Sequence, residues 1–324
     1  MINRLSFAVA IATLLAPAAG AQGAAAPATP KPPAAPKPAA PPAAPTQWTF
    51  PTPEAAAWAL VRAAEEYDIE TLTAILGPDG VDLVVTSDQV QDRQHDSAFA
   101  ALARQQARIV RDPAKKTATL NVGPDDWPMP MPIVEKNGRW RFDTLAGRKE
   151  VLNRRVGENE LDAIEACRGF VDAQGEYASE KHGGASVNQY AQRIISTPGK
   201  QDGLAWQDAD GTWQGPLGEE LAQAIAEGYT DKSQPYHGYY YKVLKGQSPA
   251  APLGQMDFVV QGLMIGGFAL VAAPADYAIS GVKTFIVSHQ GIVYEKDLGP
   301  TSLDRFRAME RYNPDSTWKP VQEP

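Results

Sequence analysis

The chain has 324 residues, 44% of them hydrophobic and 21% charged, with a formal net charge of −8 and one cysteine. A single cysteine excludes an internal disulfide framework, so the fold stands on its apolar cores. From residue 48 onward 27 basic residues face 38 acidic ones, a net charge near −11. That balance disfavours a nucleic-acid groove or an anionic membrane surface.

The first residues, MINRLSFAVAIATLLAPAAGAQG, place Arg4 before an apolar run from Leu5 to Leu15, then small residues ending Ala19-Gly20-Ala21. This is the layout of a secretory signal peptide over 1–21, and the run is too short to span a bilayer. No cysteine stands directly after the run, where a lipid would be attached. Residues 22–47 are almost only Ala, Pro and Lys, a composition that cannot bury enough surface to fold; the prolines favour an extended spacer. The expected location is periplasmic or secreted.

The remainder is long enough for two domains, expected at 48–155 and 156–324. In the first, Pro53 suits a first helical turn with Thr52 as its cap, and Ala57, Leu60, Val61 and Ala64 recur at helical spacing. A short helix from Ile69 to Leu76 stops at Gly77-Pro78. Ser87 or Asp88 opens a further helical stretch, with Ala98, Ala101, Leu102 and Gln105 carrying it to about 106. The period then changes: ARIVRD, TATLNVG and MPIVEKNGRWRFDT read as strands, with Asn137-Gly138 as a hairpin turn. Helices followed by an antiparallel sheet make an α+β unit. It resembles the cone-shaped domains of the nuclear-transport-factor-2-like kind. Within it, Asp125, Asp126, Trp127 and Trp140 read either as an aromatic and carboxylate pocket or as an edge strand blunted by prolines.

In the second domain, residues 159–181 predict a long helix. One stripe is Leu161, Ile164, Cys167, Val171 and Ala178, and a second is Ala163, Ala166, Phe170, Ala173 and Tyr177. Cys167 within such a face reads as a buried, inert thiol. Strands follow: YHGYYYKVLKGQ, MDFVVQGLMIGGFALVAAP and TFIVSHQGIVYEKDLG. In the last, Thr284–Ser288 and Ile292 to about Lys296 form a hairpin around His289-Gln290-Gly291, with Gly291 at the left-handed position. His289 and Glu295 then lie roughly 20 Å apart along the strand and cannot share one site. A long helix on an antiparallel meander resembles the globular part of pilins and pseudopilins. Those proteins keep an uncleaved apolar helix, which here is expected to be removed.

The phrases FPTPEAA, GRWRFDTLAGRKEVLNRRVGENEL, DAQGEYA, STPGKQDGL, GYYYKVLKGQ, GGFALVAAPADY and VYEKDLGP together resemble a bacterial family, domain of unknown function 2950, over about residues 48–320. The resemblance implies an exported envelope protein and transfers no catalytic residues.

No metalloprotease, dithiol, phosphate-loop or nucleophile-elbow motif is present. The histidines, His95, His182, His237 and His289, are far apart in sequence. No cofactor is expected, although Asp202, Asp208 and Asp210 in KQDGLAWQDADGTWQG look like a fragment of a calcium loop. A full loop would need an acid at 206 and a Glu at 217, where Trp206 and Leu217 stand, and an Asx-rich turn is the alternative reading. Alternation puts Tyr239 and Tyr241 on one strand face, as half-buried sheet residues or as part of a carbohydrate or peptide platform. Asp297, where a strand meets Gly299-Pro300, is a further surface candidate.

Three functions follow as expectations. The leading one is a non-catalytic envelope module that binds a protein or glycan partner. The second is a periplasmic hydrolase using carboxylates among Asp125, Asp126, Asp202 and Asp297. The third is a calcium-stabilised module.

Overall fold

The computed structural model describes residues 47–227, 229 and 234–322. The expected signal peptide and all of the expected linker except Gln47 lie outside the described residues. The fold is α+β, as the change of period along the chain predicts.

Helix α1 (Pro53–Glu65) begins where Thr52 Oγ1 accepts from the Ala55 N–H at 3.1 Å, with Pro53 in the first turn. It buries Ala56, Ala57, Leu60, Val61, Ala63 and Ala64. α2 (Ile69–Leu76) is capped by Asp68 and stopped at Gly77, whose φ of +76° suits glycine. The short α3 (Val81–Val84) follows, then α4 (Gln89–Gln105), which starts earlier than its apolar residues suggest because Asp88 caps it. Next come strands β1 (Ala107–Asp112), β2 (Thr117–Val122), β3 (Trp127–Pro128), β4 (Ile133–Lys136) and β5 (Arg139–Phe142). All pairings are antiparallel, in the order β1-β2-β4-β5, with β3 laid along the end of β2. Asn137 and Gly138 both have positive φ, 55° and 72°, as the hairpin turn between β4 and β5 requires. α1 and α4 cover this sheet to make the first core.

α5 (Thr144–Tyr177) is 34 residues long and starts fifteen residues before the helix expected from 159. Charges and two glycines make 144–158 read as a connector. Three features turn it into helix: the Asp143 cap on Ala146 N–H, Val151 and Leu152 packed on the first core, and Arg148 reaching Asp82. Gly147 lets the helix touch the chain at Pro130–Met131. Farther along, Ala163, Ile164, Cys167, Phe170, Ala173 and Tyr177 enter the second core, while Leu161 is 63% exposed and lies outside the buried stripe. The boundary expected at 155/156 therefore falls inside one continuous helix that serves both cores, and the described residues belong to one compact unit.

The second half continues with β6 (Arg193–Ile195), β7 (Gly203–Gln207), β8 (Trp213–Gln214), α6 (Gly218–Glu227), β9 (Tyr239–Leu244) and β10 (Gly246–Gln247). Then come β11 (Met256–Asp257), β12 (Val259–Val260), β13 (Leu263–Met264), β14 (Ala269–Pro274), β15 (Lys283–Ser288), β16 (Tyr294–Asp297), α7 (Ser302–Ala308) and β17 (Lys319–Pro320). The main sheet is antiparallel in the order β17-β16-β15-β14-β9. α5 packs on one face, and α7 lies on the other, where Lys242 reaches over the Phe306 ring. Covered on both faces, β14 is buried at every position and reads as a continuous apolar run.

The β15–β16 hairpin has the predicted register, with Phe285 opposite Glu295 and Ile286 opposite Tyr294. Gly291 has φ +76°, and its N–H bonds the Ser288 carbonyl. Glu295 pairs with Lys283 instead of approaching His289. Among the described residues no helix is long and apolar enough to cross a membrane.

Candidate functional site

Two polar assemblies stand out. The first is built on α4. Asp88, Asp92 and Asp96 recur every four residues and so share one helix face. Asp88 is 2% exposed. Its Oδ1 accepts from Gln91 N–H at 3.0 Å; its Oδ2 accepts from Gly238 N–H at 2.9 Å and the Tyr229 hydroxyl at 3.1 Å. Gly238 sits in a two-residue turn, His237 φ +47° and Gly238 φ +72°, closed by the Tyr236 and Tyr239 backbones. On α5, Asn159 accepts from Gln91 Nε2 at 2.8 Å and donates to the Ser280 carbonyl at 2.8 Å. Asp162 meets His237 Nδ1 at 2.6 Å, and Glu160 accepts from the Val282 and Lys283 N–H groups. The Asp88 bonds to Gly238 and Tyr229 and the Gln91–Asn159 bond tie the first half to the second through buried polar groups, each with a partner, which is how such a junction avoids desolvation losses; the half-buried Glu160 and Asp162 fasten α5 to the second half.

Asp92 accepts from Thr86 N–H at 2.6 Å and lies 3.8 Å from Arg155. Asp96 is less well served: its Oδ2 is buried without a hydrogen-bond partner. Burial, and then the neighbouring Asp92 charge, push its carboxyl up to about 7, against a smaller opposing pull from Arg155. The folded state thus binds a proton that the unfolded chain releases near pH 4, so stability falls as pH rises from about 4 to 7. Discounted for solvent screening of a partly exposed group, the loss is about 2 kcal/mol. Asp96→Asn is expected to remove this component. Urea unfolding at pH 4.5 and pH 8 should show the variant gaining stability over the parent mainly at pH 8. An equal difference at both pH values would contradict this assignment.

The second assembly is a cleft of about 870 Å³ in the C-terminal half. Its floor comes from an uncommon connection. β6 and β7 are parallel neighbours, yet only residues 196–202 join them. Parallel pairs ordinarily need a dozen or more connecting residues. Here Thr197-Pro198-Gly199-Lys200 turns sharply, with Gly199 φ +74° and Lys200 N–H bonded to the Thr197 carbonyl at 2.9 Å. Asp202 closes the loop, accepting from Thr197 N–H at 2.7 Å and its hydroxyl at 2.9 Å, with Arg193 Nε at 3.4 Å. A Cβ at Gly203 would lie 2.6 Å from Ser196 N, so glycine is required there.

Aromatic side chains form one wall. His182 stacks on Tyr177 with centroids 3.9 Å apart, and Trp206 tilts against His182 at 5.5 Å. Tyr177 donates to the Gln201 carbonyl, and burial pushes its phenol up to about 12. Tyr190 packs edge-on against Phe268, which in turn packs edge-on against Phe170 of α5, so this ring is rooted in the core. Gln189, Gln192 and Gln207 line the cleft with Arg193, Lys200, Lys245 and the acids Asp202 and Asp208.

The sequence candidates fall in separate places. Partial burial pushes the Asp202 carboxyl up, but the Thr197 donors and Arg193 outweigh it and hold it below the usual range. Asp208 also lines the cleft, whereas the Asp210 carboxylate accepts from Thr212 N–H in the β7–β8 turn. Among the described residues no three metal-ligating side chains are gathered, so the calcium-loop trio does not converge. Tyr239 is completely buried and donates to the Lys283 carbonyl, and the Tyr241 hydroxyl is buried too; as inward-facing strand residues they are not a surface platform. Trp127 is 42% exposed under Arg154, and Trp140 bridges to Phe50 beside Arg111, which matches an edge-strand environment. Asp125 is exposed, while Asp126 pairs with Arg108. Asp297 accepts from Tyr277 and Gly299 at the end of β16. Cys167 is fully buried, which pushes its thiol up to about 12. Sequence reasoning did not single out Asp92, Asp96, His182, Tyr190, Arg193, Lys200, Trp206 or Lys245. Only the four-residue aspartate spacing carried a signal for any of them.

The family described as protein of unknown function, DUF2950, matches residues 47–321. No curated protein and no solved structure matches the chain.

Proposed function

The chain belongs to the DUF2950 family, and on that premise we propose that it is an exported envelope protein that binds an oligosaccharide in the C-terminal cleft without altering it. The carrying observation is that half-exposed Trp206 and Tyr190 line the cleft together with four glutamines, with the buried Tyr177–His182 stack behind Trp206 holding it in place. Sugar rings pack their C–H faces on aromatic rings, and amide side chains both donate to and accept from hydroxyls. The volume falls within the roughly 300–1,000 Å³ of ligand clefts. Asp202 is spent on bracing its loop and kept ionised, so it does not serve as a general acid. That leaves Asp208 as the other carboxylate in the lining, short of the acid and nucleophile or base pair that glycoside hydrolysis needs.

The signal-peptide pattern supports export, and the Pro/Ala-rich segment would serve as a spacer holding the folded part away from its anchorage or partner. A long helix on an antiparallel sheet is the basis of the pilin-like resemblance, and the cone-like first half is the basis of the other; both are architectures used for contact as well as catalysis.

Calorimetric titration of the purified protein with a panel of neutral and acidic tetrasaccharides tests the reading. At least one is expected to bind, and Trp206→Ala, checked for folding by circular dichroism, is expected to weaken it about tenfold or more. Trp127→Ala, in the other half, should leave it unchanged. Binding indifferent to Trp206, or no binding by any member, would contradict the proposal.

A further inference from the structure

We infer that the cleft selects an oligosaccharide bearing carboxylates, held by the ammonium groups of Lys200 and Lys245; the inference rests on the cleft being the ligand site.

The argument begins from charge. The protein is acidic, with 38 carboxylates against 30 cations, so an anionic ligand is repelled by the molecule as a whole. Many of its surface cations are already paired, including Arg104 with Glu65, Arg111 with Glu54, Arg148 with Asp82 and Lys283 with Glu295. The cleft differs. Arg193 is matched to Asp202 across 3.4 Å, and that carboxylate is further satisfied by Thr197. Lys200 and Lys245 both line the cleft, both are exposed, and neither has an ion-pair partner among the described residues. Against these two ammoniums stands the one carboxylate of Asp208. The lining is therefore locally cationic within an acidic protein.

Their placement suits a polymer more than a small ion. Lys200 projects from the braced Thr197–Lys200 turn, whereas Lys245 stands between β9 and β10, on a different sheet. Two point charges on separate segments, with half-exposed Trp206 and Tyr190 and several amides in the same lining, can meet acid groups on different sugars of one chain. Lysine does not demand the paired geometry that arginine does, so it tolerates the variable torsion of glycosidic links.

The test is titration with tetragalacturonate and with cellotetraose, a neutral probe of equal length. The acidic probe is expected to bind about tenfold tighter or more in 50 mM salt, and to lose about fivefold in 500 mM salt. Lys200→Ala/Lys245→Ala should lose about tenfold or more of the acidic probe's affinity and bring the two probes level, and Lys200→Arg/Lys245→Arg should restore most of the preference. Equal binding of the two probes overturns the acid selectivity and leaves the cleft as the site. A preference for the acidic probe that survives the double alanine variant overturns the assignment to these lysines. Failure of both probes in the parent protein, with other members of the tetrasaccharide panel also failing, overturns the cleft reading itself.

Discussion

Asp88→Ala is expected to destabilise the protein by about 3–5 kcal/mol. The side chain removes three donors from solvent at one point: the α4 cap at Gln91 N–H, the Gly238 N–H and the Tyr229 hydroxyl. Loss of a helix cap costs about 1 kcal/mol, and each buried donor left without an acceptor costs about 1–3 kcal/mol. Water has little access to repair the gap, because Asp88 is 2% exposed and Tyr229 is 8% exposed. The effect should appear as a melting temperature lower by roughly 10 °C. Asp88→Asn keeps an acceptor oxygen for the cap and should recover about half of the loss. A change below about 1 kcal/mol for the alanine variant would show that α4 and the His237-Gly238 turn are not held together here.

Gly147→Ala carries the second large effect, and its sign runs against helix propensity. In an unconstrained helix interior, alanine is favoured over glycine by about 1 kcal/mol. At Gly147 an added Cβ would lie 2.4 Å from Met131 Cγ, 2.7 Å from Met131 Cα and 2.8 Å from the Pro130 carbonyl oxygen. Two of those atoms are backbone, so no rotamer change relieves the clash, and the helix must move off the first core. A destabilisation of about 2–4 kcal/mol is expected. Gly157, ten residues along the same helix, has nothing within 4 Å of a built Cβ. Gly157→Ala should therefore stabilise the protein by about 0.5–1 kcal/mol. Denaturant unfolding of the pair measures both signs, and a stabilising Gly147→Ala would contradict the close approach of α5 to Pro130–Met131.

These two residues also show what the chain discloses before folding. Thr52-Pro53, Gly77-Pro78, Asn137-Gly138 and Gly291 act through their immediate neighbours, and each stops or turns the chain where local chemistry says it should. Gly147 acts through a contact sixteen residues away, so within its own window it looks like a helix breaker in a charged linker. The β15–β16 register was legible because turn length fixes it. Tyr239 and Tyr241 keep their predicted alternation, but which face is buried depends on α5, and strand pattern alone does not reveal that. The spacing of four that puts Asp88, Asp92 and Asp96 on one face is written in the sequence, although only Asp88 stands out there, as a helix opener. The raised carboxyl of Asp96 is not written there, since it comes from burial.

The cleft was the least legible feature. Its walls come from α5, the 182–193 segment, the short β6–β7 connection, and the β9–β10 and β12–β13 turns, which are brought together by topology and share no period. Of the residues that line it, only Asp202 and Asp208 carried a recognisable pattern, and Asp202 serves to brace the loop. Lys200, Lys245 and Trp206 are ordinary in sequence and gain meaning from their placement.

Amide hydrogen exchange with and without the tightest-binding tetrasaccharide tests the central claim most directly, because it locates the ligand without presuming a residue. The cleft predicts slower exchange in 182–193, 199–209 and 262–263, with little change at 86–96 and 237–238. Protection centred on 86–96 and 237–238, or none in the cleft segments under saturating ligand, would contradict it.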